Sequence, residues 1–461
     1  MELIKTKQIG ECTKYYIFGI GVYKKKGPFY ALSKSFAANT DFNCTRWDQA
    51  TAHLTDRLVR PSGLRKSQPQ DDRIAFLATQ FYDMGGHTEW VLGLMAALSP
   101  HYQIKTFLTN YSATYQHAKN KMKDMEKYSE IAGLIHPHGN TGKNLKQLLE
   151  QINTFAPKVL FVFMHMDDFQ ANALLYLIRR YTDIKIIYCN HASHFPFLGT
   201  TFADAVTCSS PAILYTNVRY RQLQKNILLN LTEYTDTVSD ISPQEKEDLR
   251  RHLGIKQNAF FTLSGASAYK FFDKSGSPYF QMIKRLLEQE KNLFHVVITR
   301  LDPHQQQVVS DLFQHSCAKN RLKIIPFTPD YSKIFQACDV FIDSFPVSSA
   351  LTYLTLMKHK KACVIKINNQ NALWSFHEYF PPNYPYMSES VSDLERYITQ
   401  LLHHPDKTLQ IGQDLYQHYM HNFSTEVIKN QCENIIKHAD RLDQLFLQLP
   451  ATAHYNIRTH E

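Results

Sequence analysis

From Arg73 onward the chain alternates short, near-continuous apolar runs with longer stretches whose apolar residues recur every three or four positions. A continuous run reads as a strand buried on both faces, and the three-to-four spacing reads as an amphipathic helix. "RIAFLA" (Arg73 to Ala78) predicts a strand, and Trp90, Val91, Leu94, Met95 and Leu98 predict a helix after it. "YQIKTFLTN" (Tyr102 to Asn110) predicts the next strand, followed by a polar helical stretch and the helix "KNLKQLLEQINTFAP". The strand "KVLFVFMH" (Lys158 to His165), the helix "ANALLYLIRRY" and the strands "IKIIYCNH" and "DAVTCSS" complete a first set. A second set begins after "SPQEKEDLRRHLGIKQN". Its strands are "AFFTLSG", "FHVVITR", "LKIIPF", "DVFIDSF" and "KACVIKI". Between them lie the helices "SPYFQMIKRLLEQEKN", "HQQQVVSDLFQHSCAKN", "YSKIFQAC" and "TYLTLMKH", and the tail from about Ser390 is helical. Alternation of this kind predicts parallel sheets covered on both faces, here as two successive α/β halves.

Residues 1 to about 70 carry no clear repeating element and end in the polar stretch "RPSGLRKSQPQDD". The expected organisation is an N-terminal extension and linker (1–72), a first α/β domain (73–240), a second (241–390) and C-terminal helices (391–461). Two open sheets predict a ligand cleft between them, at the carboxyl ends of the strands. The formal charge of +9 favours an anionic ligand. With no zinc-finger, basic-zipper or RNP-like pattern, no nucleic-acid partner is expected. The eight cysteines are scattered without C-x-x-C spacing, which argues against a zinc site or a disulfide scaffold. The N-terminus lacks an apolar core followed by a cleavage site, and no apolar run approaches the ~18 residues of a membrane span. No integral membrane segment is expected, and a cytoplasmic location is. A protein exported by a specialised secretion machine reads the same way.

The stretch "TQFYDMGGHTEWVLGLMAAL" (Thr79 to Leu98) sets Gly85, Gly86 and His87 between a strand and a helix, where backbone N–H groups can approach a ligand. A tight turn that needs φ > 0 and binds nothing has the same sequence. The turn lacks G-x-G-x-x-G spacing, and no clear acidic residue follows about 20 positions later, so dinucleotide binding is not expected.

The most specific block is "RLKIIPFTPDYSKIFQACDVFIDSFPVSSALTYLTLMKHKKACVI" (Arg321 to Ile365). It resembles the donor-binding block of GT-B glycosyltransferases, most closely the O-GlcNAc-transferase-like and related bacterial protein-glucosyltransferase group. In those families a strand ends in a Leu-Asp-Thr-like triplet, followed by a small-residue turn and a Thr-bearing helix. Here the triplet is Ile342-Asp343-Ser344, the turn Val347-Ser348-Ser349, and the helix carries Thr352. "LSGASAYKFF" (Leu263 to Phe272) is similar to the family's Tyr-Lys segment. The Gly85–His87 stretch and "YCNHASHFPFLGTTFADAVTCSSPAI" (Tyr188 to Ile213) are similar to its N-domain loops. The resemblance spans roughly residues 73 to 420.

It implies the GT-B fold, two Rossmann-like domains facing a cleft, and transfer of a hexose or N-acetylhexosamine from a uridine diphosphate (UDP) sugar to a protein or glycan acceptor. Beyond that donor no cofactor is implied. Asp343 would accept the ribose hydroxyls, although a strand-end acid capping the next turn looks the same. Ser348, Ser349 and Thr352 would hold the diphosphate at a helix start, where a plain N-cap is the alternative. Lys270 would neutralise the leaving diphosphate in place of a metal, with a solvated loop lysine as its alternative. Tyr331 falls where the family stacks a ring on uracil, with Phe327 nearby; either also suits ordinary packing. His87 would serve as base toward the acceptor or as a sugar ligand, with Gly85 and Gly86 allowing close approach. His191 and His194 are rivals among 22 histidines.

The chain also departs from the family. Ser348-Ser349 replaces a Gly-Gly or Asn-Gly, Thr355 replaces an acidic residue, and "KKA" (Lys360 to Ala362) replaces a Gly-x-Pro. The E-x7-E pair of the retaining families is absent, with Val347 and Thr355 at its positions. No D-x-D metal motif stands out, "MDD" (Met166 to Asp168) being the nearest. The expectation is a metal-independent, inverting mechanism, with a non-catalytic nucleotide-sugar or partner-binding protein as the alternative.

Overall fold

The computed structural model describes residues 4–9, 12–17, 20–83, 85–110, 118–135, 140–191, 193–234, 240–327 and 331–458. Its contacts divide the chain into two units. The first holds residues 1–234 together with 428–454 and 459–461, and the second holds 235–427 and 455–458.

In the first unit a seven-stranded sheet has the order β10-β9-β8-β7-β4-β5-β6. The strands are β4 (Gln70–Ala78), β5 (Gln103–Leu108), β6 (Glu130–Leu134), β7 (Pro157–Phe163), β8 (Lys185–Tyr188), β9 (Ala205–Cys208) and β10 (Asn226–Leu228). Every pairing is parallel. The connecting helices are α3 (Gly86–Leu98), α4 (Lys119–Glu126), α5 (Thr141–Phe155), α6 (Phe169–Tyr181) and α7 (Pro211–Arg219). Nearly all of α3 is buried, as expected for a helix that is apolar all round. Two of these strands escaped the sequence pattern. β6, "EIAGL", is short and interrupted by Gly133, and β10 is three residues long.

Residues 1–72 hold more structure than an extension and linker. An antiparallel sheet joins β1 (Ile4–Ile9), β2 (Cys12–Ile17) and β3 (Ile20–Lys26). Helices α1 (Tyr30–Phe36) and α2 (Thr45–Leu58) follow it. Phe29, Phe36, Cys44 and Val59 share one apolar cluster with Leu160 and Val162 of β7 and with Leu174 and Ile178 of α6. Asp48 on α2 is fully buried. It accepts hydrogen bonds from Asn172 Nδ2 (3.0 Å), the Gly199 amide (2.8 Å) and the Thr201 amide (3.2 Å). Burial pushes its carboxyl up to about 6 against those donors. Such a site belongs to a core, because a buried carboxylate is tolerated only with its partners in place.

The second unit has a six-stranded sheet of order β13-β12-β11-β14-β15-β16, again parallel throughout. Its strands are β11 (Phe260–Gly265), β12 (Leu293–Ile298), β13 (Leu322–Ile325), β14 (Val340–Ile342), β15 (Ala362–Lys366) and β16 (Met387–Ser388). Helices α8 (Pro243–His252), α9 (Pro278–Gln289), α10 (Pro303–Phe313), α11 (Tyr331–Ala337), α12 (Ala350–Lys358), α13 (Val391–His403) and α14 (Pro405–Asn422) surround it.

The C-terminal helices divide between the units. α13 and α14 pack on β15 within the second. α15 (Thr425–Lys437) leads into the segment Ile428–His454 of the first, where the Leu447 amide donates to the Asn226 carbonyl (2.7 Å) beside β10. On α14, Gly412 lies against the turn after α12, so that a Cβ there would overlap the Lys360 carbonyl. Neither atom is the end of a flexible side chain, so the helix itself must move. Gly412→Ala is therefore expected to cost about 1–3 kcal/mol or more. Thermal denaturation checks it, and an unchanged melting temperature would show that α14 is not seated there.

Candidate functional site

Both sheets reverse their strand order at one point. In the second unit, β12 and β13 build outward on one side of β11, whereas β14 to β16 build on the other. Parallel open sheets bind ligands outside the strand carboxyl ends at such a reversal, because the loops there diverge and leave a crevice. The loop after β11 carries Lys270, and the loop after β14 carries Asp343, Ser348 and Ser349. The structure brings these four together. Lys270 Nζ donates to the Ser348 carbonyl at 2.6 Å. Ser349 Oγ donates to the Gly265 carbonyl at the end of β11 (3.2 Å) and shares a 3.1 Å hydrogen bond with Ser344 Oγ.

The Ser349 side chain makes no capping hydrogen bond to the first turn of α12 among the described residues. The N–H groups of its first turn thus keep their positive end for a ligand, and Thr352 lies half-buried on that turn. Burial pushes the Lys270 ammonium down to about 8, while Asp343 favours its charged form. A lysine ammonium and a helix start in one place are the kinds of donor that a polyanion recognises.

Asp343 is placed differently from an open ribose ligand. It is 1% exposed. Its Oδ2 accepts from the Tyr353 hydroxyl at 2.5 Å and its Oδ1 from the Ser349 amide at 3.3 Å. This is the turn-capping arrangement that the sequence left as the alternative. Burial raises the carboxyl to about 6, opposed by hydroxyl and amide donors and by Lys270. Tyr331 opens α11 with its ring edge-on to Phe335 at 6.0 Å, and Phe335 in turn lies against Gly265. Phe327 is half-buried just beyond β13.

In the first unit the reversal falls between β4 and β7. Gly85 caps α3 at φ 126°, outside the range of residues with a side chain, so one glycine of the pair has a backbone reason. Gly86 is the first residue of α3 and His87 the second. His87 Nε2–H donates to the Phe163 carbonyl at the end of β7 (2.9 Å). That bond leaves the lone pair on Nδ1, which is buried without a partner among the described residues. Burial drives His87 down to about 4. The His191 ring, after β8, lies 4.7 Å from that of His87, and burial holds it well below the ordinary histidine value. His194 follows on the same loop. Arg221 fastens that loop, donating to the carbonyls of Ser193 (2.6 Å) and Phe195 (2.8 Å).

The sequence reading passed over His165, which follows β7 and pairs with Asp167 at 2.5 Å. The signal was available, since "MHMDD" ends an apolar strand as the His87 and His191 segments do. Asp168 of the same stretch is fully buried, receives the Thr79 hydroxyl (2.7 Å) and the Thr109 hydroxyl, and caps α6. Among the described residues no group of three or more His, Cys, Asp or Glu is arranged to hold a metal ion.

No protein-family model matches the chain, and no curated protein matches it by sequence. Solved structures do match it. A glycosyltransferase from Rickettsia africae has a TM-score of 0.65 at 12% identity, covering 81% of this chain and 100% of that one. Anabaena HepE in complex with UDP-glucose has a TM-score of 0.61 at 13% identity, covering 79% of this chain and 99% of its own. An O-GlcNAc transferase from Thermobaculum terrenum has a TM-score of 0.55 at 11% identity, covering 90% of this chain and 78% of its own. These neighbours have the GT-B fold, and so does this chain.

Proposed function

We propose that the chain is a glycosyltransferase that moves a hexose or N-acetylhexosamine from a UDP-sugar to a hydroxyl or amide of a protein or glycan. The observation that carries the reading is the placement of Lys270 beside the start of α12, at the reversal point of the second sheet. A diphosphate leaving a sugar carries away the electron pair of the anomeric bond. An ammonium and helix N–H groups fixed at that point stabilise the growing charge without reorganising. Their presence supports a metal-independent route, and one displacement with a protein base gives inversion. That HepE holds UDP-glucose on the same fold supports the choice of donor. Among the described residues no helix is long and apolar enough to cross a membrane.

The buried Asp343 and the serines at the donor turn favour a second reading, a protein that binds the nucleotide sugar without turning it over. UDP release from a panel of nucleotide sugars, with and without cell extract as acceptor, separates the two. Donor-selective release that rises with extract is the expected result. No release from any donor, alongside thermal stabilisation by UDP, would leave the binding protein.

A further inference from the structure

We propose that His165, oriented by Asp167, is the general base that takes the proton from the acceptor nucleophile, an inference that rests on the transferase reading above. The geometry is that of an activated imidazole. His165 Nδ1–H donates to Asp167 Oδ1 at 2.5 Å, which fixes the tautomer and leaves the lone pair on Nε2. Nothing hydrogen-bonds Nε2 among the described residues. The side chains of His165 and Asp167 are 43% and 39% exposed, so the pair is open to an incoming group. It also sits where a ligand is expected, on the loop after β7 at the reversal point of the first sheet.

The neighbouring histidines lack these features. His87 spends its N–H on a backbone carbonyl and keeps its lone pair on a buried nitrogen. His191 faces the Cys189 carbonyl at 3.3 Å and has no carboxylate partner among the described residues. Burial holds both well below neutrality, whereas Asp167 raises His165 above the ordinary histidine value. A base works best with a proton affinity near the working pH, and His165 alone of the three has a carboxylate to keep it there. The titratable groups around it are Asp167 and the buried Asp168 on its own loop, His87 and Tyr82 from the loop and helix after β4, and His191 after β8.

The step balances. His165 Nε2 takes the proton of the acceptor O–H or N–H, and the freed electron pair forms the bond to the anomeric carbon. The bond from that carbon to the diphosphate oxygen breaks, its pair leaving with UDP. The imidazolium, held by Asp167, then gives its proton to solvent.

The test compares full-length wild type with His165→Ala, Asp167→Asn and His87→Ala. UDP release coupled to transfer is measured across the neutral pH range, with melting temperature and stabilisation by UDP recorded for each. His165→Ala should lose about 10²–10⁴-fold in kcat while melting and stabilisation by UDP stay as in the wild type. The acid limb of kcat/KM should vanish with it. Asp167 is a positioning residue, so Asp167→Asn should keep part of the activity and move the acid limb to lower pH. A His165→Ala enzyme within a few-fold of wild type, or an acid limb that persists in it and disappears in His87→Ala, would overturn the proposal while leaving the transferase reading intact. A wild type that releases UDP from no donor would remove the transferase reading and this inference together.

Discussion

Lys270→Met is expected to lower kcat by about 10²–10³-fold, the usual cost of removing one preorganised donor from a developing negative charge. Methionine keeps the length and apolar stem of lysine, so the packing of the loop after β11 should survive. What disappears is the ammonium beside the Ser348 carbonyl and the start of α12. Lys270→Arg should not restore full activity, because a planar fork does not replace a compact ammonium seated in a turn. The same residue predicts a pH dependence. With its ammonium held near 8 in the free protein, Lys270 is charged below that pH and neutral above it. UDP affinity of the wild type should therefore fall as pH rises through about 8, whereas Lys270→Met should show a flat profile there. Titration of UDP binding by calorimetry across that interval checks both claims. Turnover and a pH profile equal to wild type in Lys270→Met would remove Lys270 from the chemistry.

Lys270 stands out in the sequence through a family resemblance whereas Tyr353 does not, and the difference follows from the kind of information each carries. The apolar runs and their spacing located most strands and helices of both sheets, because burial on both faces demands continuous apolar residues and leaves a local trace. Once the order of strands is known, residues that follow β11, β14, β4 and β7 fall at the two reversal points by topology alone. Lys270, Ser348, Ser349 and His87 fall there, although the sequence offered them as ligand groups only through a family resemblance. Tyr353 acts on Asp343 from the next helix, inside an apolar stretch where a tyrosine reads as core. Asp48 and Asn172 meet across 124 positions, and Arg221 reaches back to the loop at Ser193. Those partners are set by packing between distant segments, which no local period records. The structure of residues 27–58 was missed for the same reason. Its apolar residues complete a core whose other half begins at β4.

Asp343 gives the sharpest contrast between a ligand role and a scaffold role, because three substitutions separate them. Asp343→Ala leaves the Ser349 amide without its acceptor inside the protein and the Tyr353 hydroxyl with only the Ser375 carbonyl, 3.3 Å away. An amide orphaned in this way costs about 1–3 kcal/mol, and the weakened Tyr353 hydrogen bond adds to it, so a fall in melting temperature is expected, with UDP binding lost as the donor turn loosens. Asp343→Asn should behave in the opposite way. An amide oxygen can still accept from Ser349, and Tyr353 can turn its hydroxyl toward the Ser375 carbonyl, 3.3 Å away. The charge is removed, and the charge is what burial penalises. The carboxyl rises from 3.8 to about 6 on folding, so its favourable contribution is complete below 3.8 and is lost as pH climbs through about 6. At neutral pH that loss corresponds to roughly 3 kcal/mol. Asp343→Asn is thus expected to melt no lower than wild type at neutral pH and to lose the pH dependence of stability between those values. Part of the gain is offset, since Lys270 loses a nearby negative charge. Tyr353→Phe should reproduce a fraction of the alanine defect, because it breaks one of the same two hydrogen bonds. If Asp343 is a scaffold residue, Asp343→Asn binds UDP within a few-fold of wild type. If it accepts the ribose hydroxyls, the asparagine variant loses affinity for UDP while its melting temperature holds, and Tyr353→Phe leaves binding untouched.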